Sequence, residues 1–106
     1  MAWSALLLAG IFEIIWVLGM KFSDGFTRPL PSIVTIASIA LSFVLLAMSL
    51  KAVPLGTAYA IWTGIGAAGA AMAGILLFGE SANAIRVGCL LLIVIGTLGL
   101  RFATPT

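Results

Sequence analysis

The residue best placed to do chemistry in this chain is Glu13, the acid in the run GIFEIIW from Gly10 to Trp16. A carboxylate among apolar side chains can hold a proton or a cation, or it can serve as a protonated hydrogen-bond donor that anchors a neighbouring helix. On a helix, positions three and four away share one face, so Glu13 is flanked by Ala9, Gly10, Trp16 and Val17. Gly10 lets another backbone or a ligand come close. The Trp16 indole N–H can reach the carboxylate, although a place in the interfacial aromatic belt accounts for Trp16 equally well on spacing alone. A second group lies in GTAYAIWTGIG, where Tyr59 and Trp62 are three apart and share a side, with Thr63 and Gly66 close by. Both rings carry polar handles, and belt positions near a helix start explain them as well as function does. Ser42, with Ser38 and Ser49, sits in a third apolar stretch; its hydroxyl either faces these groups or bonds back to the carbonyl four residues earlier.

The elements that must position these residues follow from composition. Of 106 residues, 63% are hydrophobic and 8% are charged, with no histidine, and the mean hydropathy is +1.32. A soluble chain of this length would lack the polar residues to cover its core, so the bilayer must act as solvent. Apolar runs of about 20 residues, enough to cross roughly 30 Å of hydrocarbon as a helix, predict four spanning helices near 2–20, 32–50, 57–79 and 82–100. They fill residues 1–106 as one four-helix transmembrane domain and leave no room for a soluble one. The first run has no basic leader and carries an acid, so it reads as mature sequence and not as a signal peptide. Glu13 then lies about ten residues from each end of its helix, close to the bilayer midplane. An ionisable group there costs about 2.5–3.5 kcal/mol on insertion scales, which argues for a cavity or a partner beside it. In the third segment, Ala60, Gly64 and Ala68, and likewise Gly66, Ala70 and Gly74, recur four apart and allow close helix crossing; the glycines together also favour a bend. The fourth, with Gly88, Gly96 and Gly99, reads as a packing helix whose job is dimerisation. The lone Cys89 reads as a small core residue, with no disulfide and no paired-thiol metal site open to it.

Several function classes fall away. Five basic residues against three acidic ones, without a basic cluster, do not suit nucleic acid. No phosphate-binding GxxxxGK[ST] loop is present. Lysine and arginine hardly bias insertion: Lys21, Arg28 and Arg86 fall on one side, Lys51 and Arg101 on the other. A chain so balanced can insert both ways up, which would allow two copies to pair antiparallel. Four helices can hardly enclose a substrate path while packing on each other, so transport requires an oligomer. A carboxylate that holds either a proton or a cation, but not both well, would couple cation export to proton import.

GIFEIIW, the loop motif GFTRPLPS and PLGTAYAIW opening the third helix together resemble the small multidrug resistance family, and within it the guanidinium exporter subtype. The resemblance covers essentially the whole chain. It implies a transporter and not an enzyme, with no cofactor and no bound metal: an all-α, antiparallel, dual-topology homodimer in the bacterial inner membrane that exchanges protons for guanidinium or substituted guanidinium cations by alternating access. Helices one to three would form the site and helix four the dimer contact, through Gly96 and Gly99. On this resemblance Glu13 is the shared proton- and cation-binding carboxylate, Trp16, Ser42, Tyr59 and Trp62 are its hydrogen-bonding ring, and Gly10 and Gly66 are the small residues lining the site. Gly88 and Gly96 are eight apart, whereas the multidrug branch packs on a seven-residue step that Cys89 to Gly96 would fit. The alternatives are a broad quaternary ammonium exporter of the same family, a small oligomeric ion channel lined by Glu13, and an assembly protein in which Glu13 only anchors helices.

Overall fold

The computed structural model describes residues 1–104. The described residues form four helices, α1 (Ala2–Phe22), α2 (Pro29–Ser49), α3 (Leu55–Phe78) and α4 (Ala84–Ala103), and no strand. Each is long and apolar enough to cross a membrane. Their ends follow local rules. Pro29 opens α2 three residues before the expected start at Ser32, because a first-turn proline forfeits only an N–H that has no helical partner; Arg28 before it is held extended at φ −99° and ψ 120°. The α3 helix closes at Gly79, whose left-handed φ of 66° turns the Glu80 N–H back onto Gly74 O at 3.1 Å. Asn83 caps α4, its side-chain oxygen accepting from the Arg86 N–H at 2.9 Å. The start of α4 thus lies at Ala84, two residues past the expected 82, and its end at Ala103, three past the expected 100.

The bend between α1 and α2 is tight and left-handed. Asp24, Gly25 and Phe26 have φ of 49°, 72° and 67° in succession, a conformation that costs non-glycine residues energy. Ser23, fully buried, holds it: its hydroxyl donates to Met20 O at 2.8 Å and accepts the Phe26 N–H at 3.1 Å.

Packing places α1 centrally, with α2 on one side and α3 on the other; α2 and α3 meet only narrowly, and α4 lies outside α3. The extents of 43 × 35 × 16 Å describe a flattened row of helices, consistent with neighbours about 8–10 Å apart. Small residues mark the crossings: Gly19 of α1 meets Thr35 of α2, Gly69 of α3 meets Ile14 of α1, and Gly64 of α3 meets Thr97 of α4. The enclosed cluster is correspondingly small, comprising Leu6, Ala9, Val53, Ala58, Ile61 and Trp62. Most other large apolar side chains are exposed, as suits a molecule solvated by lipid. Cys89 corrects the expectation of a core residue: it is exposed, because α4 touches the molecule along one edge and buries none of its residues.

Candidate functional site

Glu13 is the twelfth of the 21 residues of α1 and is only 8% exposed. Its carboxylate points across the α1–α3 crossing at Gly66, so closely that a Cβ added there would overlap it. The absence of a side chain at Gly66 is what makes room for the acid. Among the described residues, no side chain or backbone group donates a hydrogen bond to the carboxylate and no cation pairs with it. Burying such a group without partners is costly, so its retention at mid-span calls for a ligand, a proton or a second molecule.

One helix turn away, the three inner helices are tied by a relay. The Trp62 indole N–H of α3 donates to Ser42 Oγ of α2 at 2.9 Å, and the Ser42 hydroxyl donates to Ala9 O of α1 at 2.7 Å. Both alternatives open in the sequence are thereby decided. Ser42 bonds across helices and not to its own, and Trp62, 6% exposed, is an interior residue and not a belt one. Ala9 O is also the carbonyl that receives the Glu13 N–H in the α1 ladder, so the relay ends on the backbone turn that carries Glu13. Phe43 and Tyr59 flank Trp62, with ring centroids 5.5 and 5.6 Å from it. Sequence reasoning missed Phe43, whose only signal is its place next to Ser42, and the Ala9 carbonyl, which carries no side-chain signal.

The remaining expected residues are placed unevenly. Tyr59 stacks on Trp62 but is 56% exposed, so within one chain it lies on the rim. Trp16 is half-buried, and its enclosed indole N–H meets no acceptor among the described residues; it does not bond Glu13. The space beside Gly10 is taken by Ile65 of α3, whose atoms stand 2.7–2.9 Å from where a Cβ would be, so Gly10 serves helix approach. Gly96 and Gly99 lie exposed on α4 with nothing near a notional Cβ. The broad hydrophobic hollow between α3 and α4, lined by Ala68, Met72, Ile75 and Leu90, contains none of the expected residues.

Comparison with known proteins places this arrangement. The sequence profile of the Small Multidrug Resistance protein family matches residues 1–93. The guanidinium exporter of Escherichia coli (strain K12) is 50% identical over 104 residues, covering 98% of this chain and 99% of that protein. The guanidinium exporters of Citrobacter freundii and Salmonella typhimurium are 52% identical over the same length and with the same coverage. With its four spans, the chain is a multi-pass protein of the bacterial inner membrane. The helices, the buried acid and the full-length match agree, and the chain belongs to the small multidrug resistance family.

Proposed function

We propose that this chain exports guanidinium and small guanidinyl cations in exchange for protons, by alternating access in an antiparallel, dual-topology homodimer. The observation that carries the reading is the Glu13 carboxylate, buried at mid-span against Gly66 with no partner among the described residues. Full-length relatives named guanidinium exporters at 50–52% identity support the substrate class. A guanidinium ion is planar, stays protonated and presents its donors in a fork that fits a carboxylate. Quaternary ammonium ions lack donors and gain most from an aromatic enclosure. In the proposed dimer the Glu13 carboxylates of both copies share one site, with Trp16, Ser42, Tyr59 and Trp62 as its hydrogen-bonding surround. The enclosed Trp16 N–H, which has no acceptor within the described residues, is a donor still available to such a site.

Coupling follows from competition. A proton on Glu13 removes the charge that attracts the cation, and a bound cation removes the lone pairs that would take the proton. Each excludes the other, so loading from one side and release to the other exchanges them. A flattened row of four helices cannot surround the substrate alone; a second copy laid against the Glu13 face would close the path.

The test is transport by the purified chain in liposomes under an imposed pH gradient. Guanidinium should drive proton movement and accumulate against its own gradient, whereas tetraalkylammonium ions should not. Glu13→Gln keeps a hydrogen-bonding side chain but cannot titrate, and should abolish exchange while the helices remain folded. Full exchange by Glu13→Gln would overturn the mechanism. Conductance without proton exchange would identify a channel, and currents with tetraalkylammonium alone would identify the multidrug activity instead.

A further inference from the structure

At the membrane edge shared by the first turn of α1 and the last turn of α4, Arg101 lies over the ring of Trp3, its guanidinium carbon 4.3 Å from the ring centroid. Stacking occupies the face of a planar guanidinium and leaves the N–H donors around its rim free to point sideways. Among the described residues, none of these donors meets an acceptor. Arg86, at the opposite edge, is by contrast satisfied: it pairs with Glu80 and donates to Ser81 O at 3.1 Å. Beneath the Trp3–Arg101 pair runs a groove of about 280 Å³ between α1, α3 and α4, walled by Leu6, Leu7, Ile61, Ile65 and Leu98. Its walls are hydrocarbon apart from Thr97, whose hydroxyl is spent on Ile93 O, and its mouth is a cation whose rim donors meet no acceptor among the described residues.

The charge pattern around it is one-sided. Asp24 and Glu80 lie in the connections at the other membrane edge and Glu13 lies at mid-span, so no acidic side chain stands near Arg101. The groove also lies away from the glycines expected to pack against a second copy: at 100° per residue, Arg101 is rotated about 140–160° around α4 from Gly96 and Gly99. A contact through those glycines leaves it open to lipid.

The geometry points to this groove as a binding site for one anionic phospholipid. An acyl chain lies along the apolar walls, the phosphate takes the rim donors of Arg101, and the Trp3 indole sits at headgroup depth, where such rings are favoured. A zwitterionic headgroup brings its own ammonium to its phosphate, whereas an anionic one leaves that charge for the protein. One basic residue near the membrane surface accounts for about a fivefold preference for anionic lipid. The inference is independent of what Glu13 transports.

Native mass spectrometry of the purified full chain, loaded from micelles holding equal phosphatidylglycerol and phosphatidylcholine of the same acyl chains, reads the lipid held longest as detergent is stripped. Phosphatidylglycerol should be retained about fivefold over phosphatidylcholine. Arg101→Gln should lower that ratio about fivefold, Arg101→Lys should keep most of it, and Lys21→Gln, whose ammonium stands over Phe78 at the opposite edge and outside this groove, should lower it much less. Leu98→Trp, which fills the groove, should lower retention of both lipids. A ratio near one in the unaltered chain overturns the site, as does an unchanged ratio in Arg101→Gln. Full displacement by glycerol phosphate, which has no acyl chain, would reduce it to an anion contact and overturn the groove's part. If Arg101→Gln fails to fold, the ratio in the unaltered chain and the Leu98→Trp result decide the matter.

Discussion

Removal of the Ser42 hydroxyl gives the sharpest measure of what joins the three inner helices. Ser42 is fully buried, accepts from Trp62 and donates to Ala9 O, so Ser42→Ala deletes two interhelical hydrogen bonds at once. It also strands the Trp62 N–H, since the indole is 6% exposed and its one acceptor has gone. Interhelical hydrogen bonds in membrane proteins average about 0.6 kcal/mol and reach about 1.7 kcal/mol, so two of them predict a loss of about 1–3 kcal/mol. An orphaned buried donor, at about 1–3 kcal/mol, gives the same range. Ser49→Ala is the control, because that hydroxyl only returns to Leu46 O in its own helix at 2.7 Å; its effect should stay under about 1 kcal/mol. Equilibrium unfolding in bicelles, followed by tryptophan fluorescence, reads both variants. The decisive experiment is the double-mutant cycle with Trp62→Phe, which removes the donor together with part of the buried ring; the cycle cancels the loss of ring volume, because it is common to both Ser42 backgrounds. Coupling between positions 42 and 62 should be about 0.6–1.7 kcal/mol. A coupling indistinguishable from zero, with Ser42→Ala no worse than Ser49→Ala, would refute the relay as a structural tie.

Three further outcomes are expected. Gly66→Ala places a methyl group on the Glu13 carboxylate and should destabilise the chain by about 1–3 kcal/mol; Glu13→Ala in the same chain should restore most of that loss in the unfolding assay, and additive effects would show that the two residues do not meet. A Cβ added at Gly99 has nothing within 4 Å among the described residues, so the helical content of Gly99→Leu by circular dichroism should be unchanged, while crosslinking should show fewer dimers if α4 carries the proposed contact. Glu80→Gln breaks the ion pair with Arg86, whose side chains are 33% and 46% exposed, and should cost less than about 1 kcal/mol, with the difference fading in high salt.

What could be read in advance divides by physical cause. Four spans were legible because run length and hydropathy are local properties of the chain. Their ends were less so, since Pro29 can either precede a helix or open it, and the choice depends on where the Ser23 turn delivers the chain. Trp62 had two readings of equal standing in the sequence, whereas for Ser42 the bond back to its own helix was the favoured one and the structure overturns it. The choice was made by α1 lying between α2 and α3, which brings a hydroxyl, an indole and a carbonyl from three helices within bonding distance. Helical period carries no information about that neighbourhood. Gly10 and Gly66 looked alike as small residues near the acid, yet one receives Ile65 and the other the carboxylate. Trp16 is the residue that a single chain explains least, since its N–H is enclosed and unpartnered among the described residues. Cys89 was misread because an apolar run was equated with a core, whereas lipid solvates the outer helix.

The packing order has a consequence for biogenesis. The helices fall into two hairpins, α1 with α2 and α3 with α4, joined by the few residues between Ser49 and Leu55. Glu13 belongs to the first hairpin, whereas Gly66 and Trp62 belong to the second. During synthesis the acid therefore enters the bilayer before the segment that makes room for it has been made. The first hairpin waits in the membrane with a polar group on its open flank, and docking of the second brings Gly66 over it. Covering of the carboxylate within the chain and docking of the hairpins are one event, so a chain halted between its hairpins would display an uncovered acid to lipid, a flaw that membrane quality control could recognise.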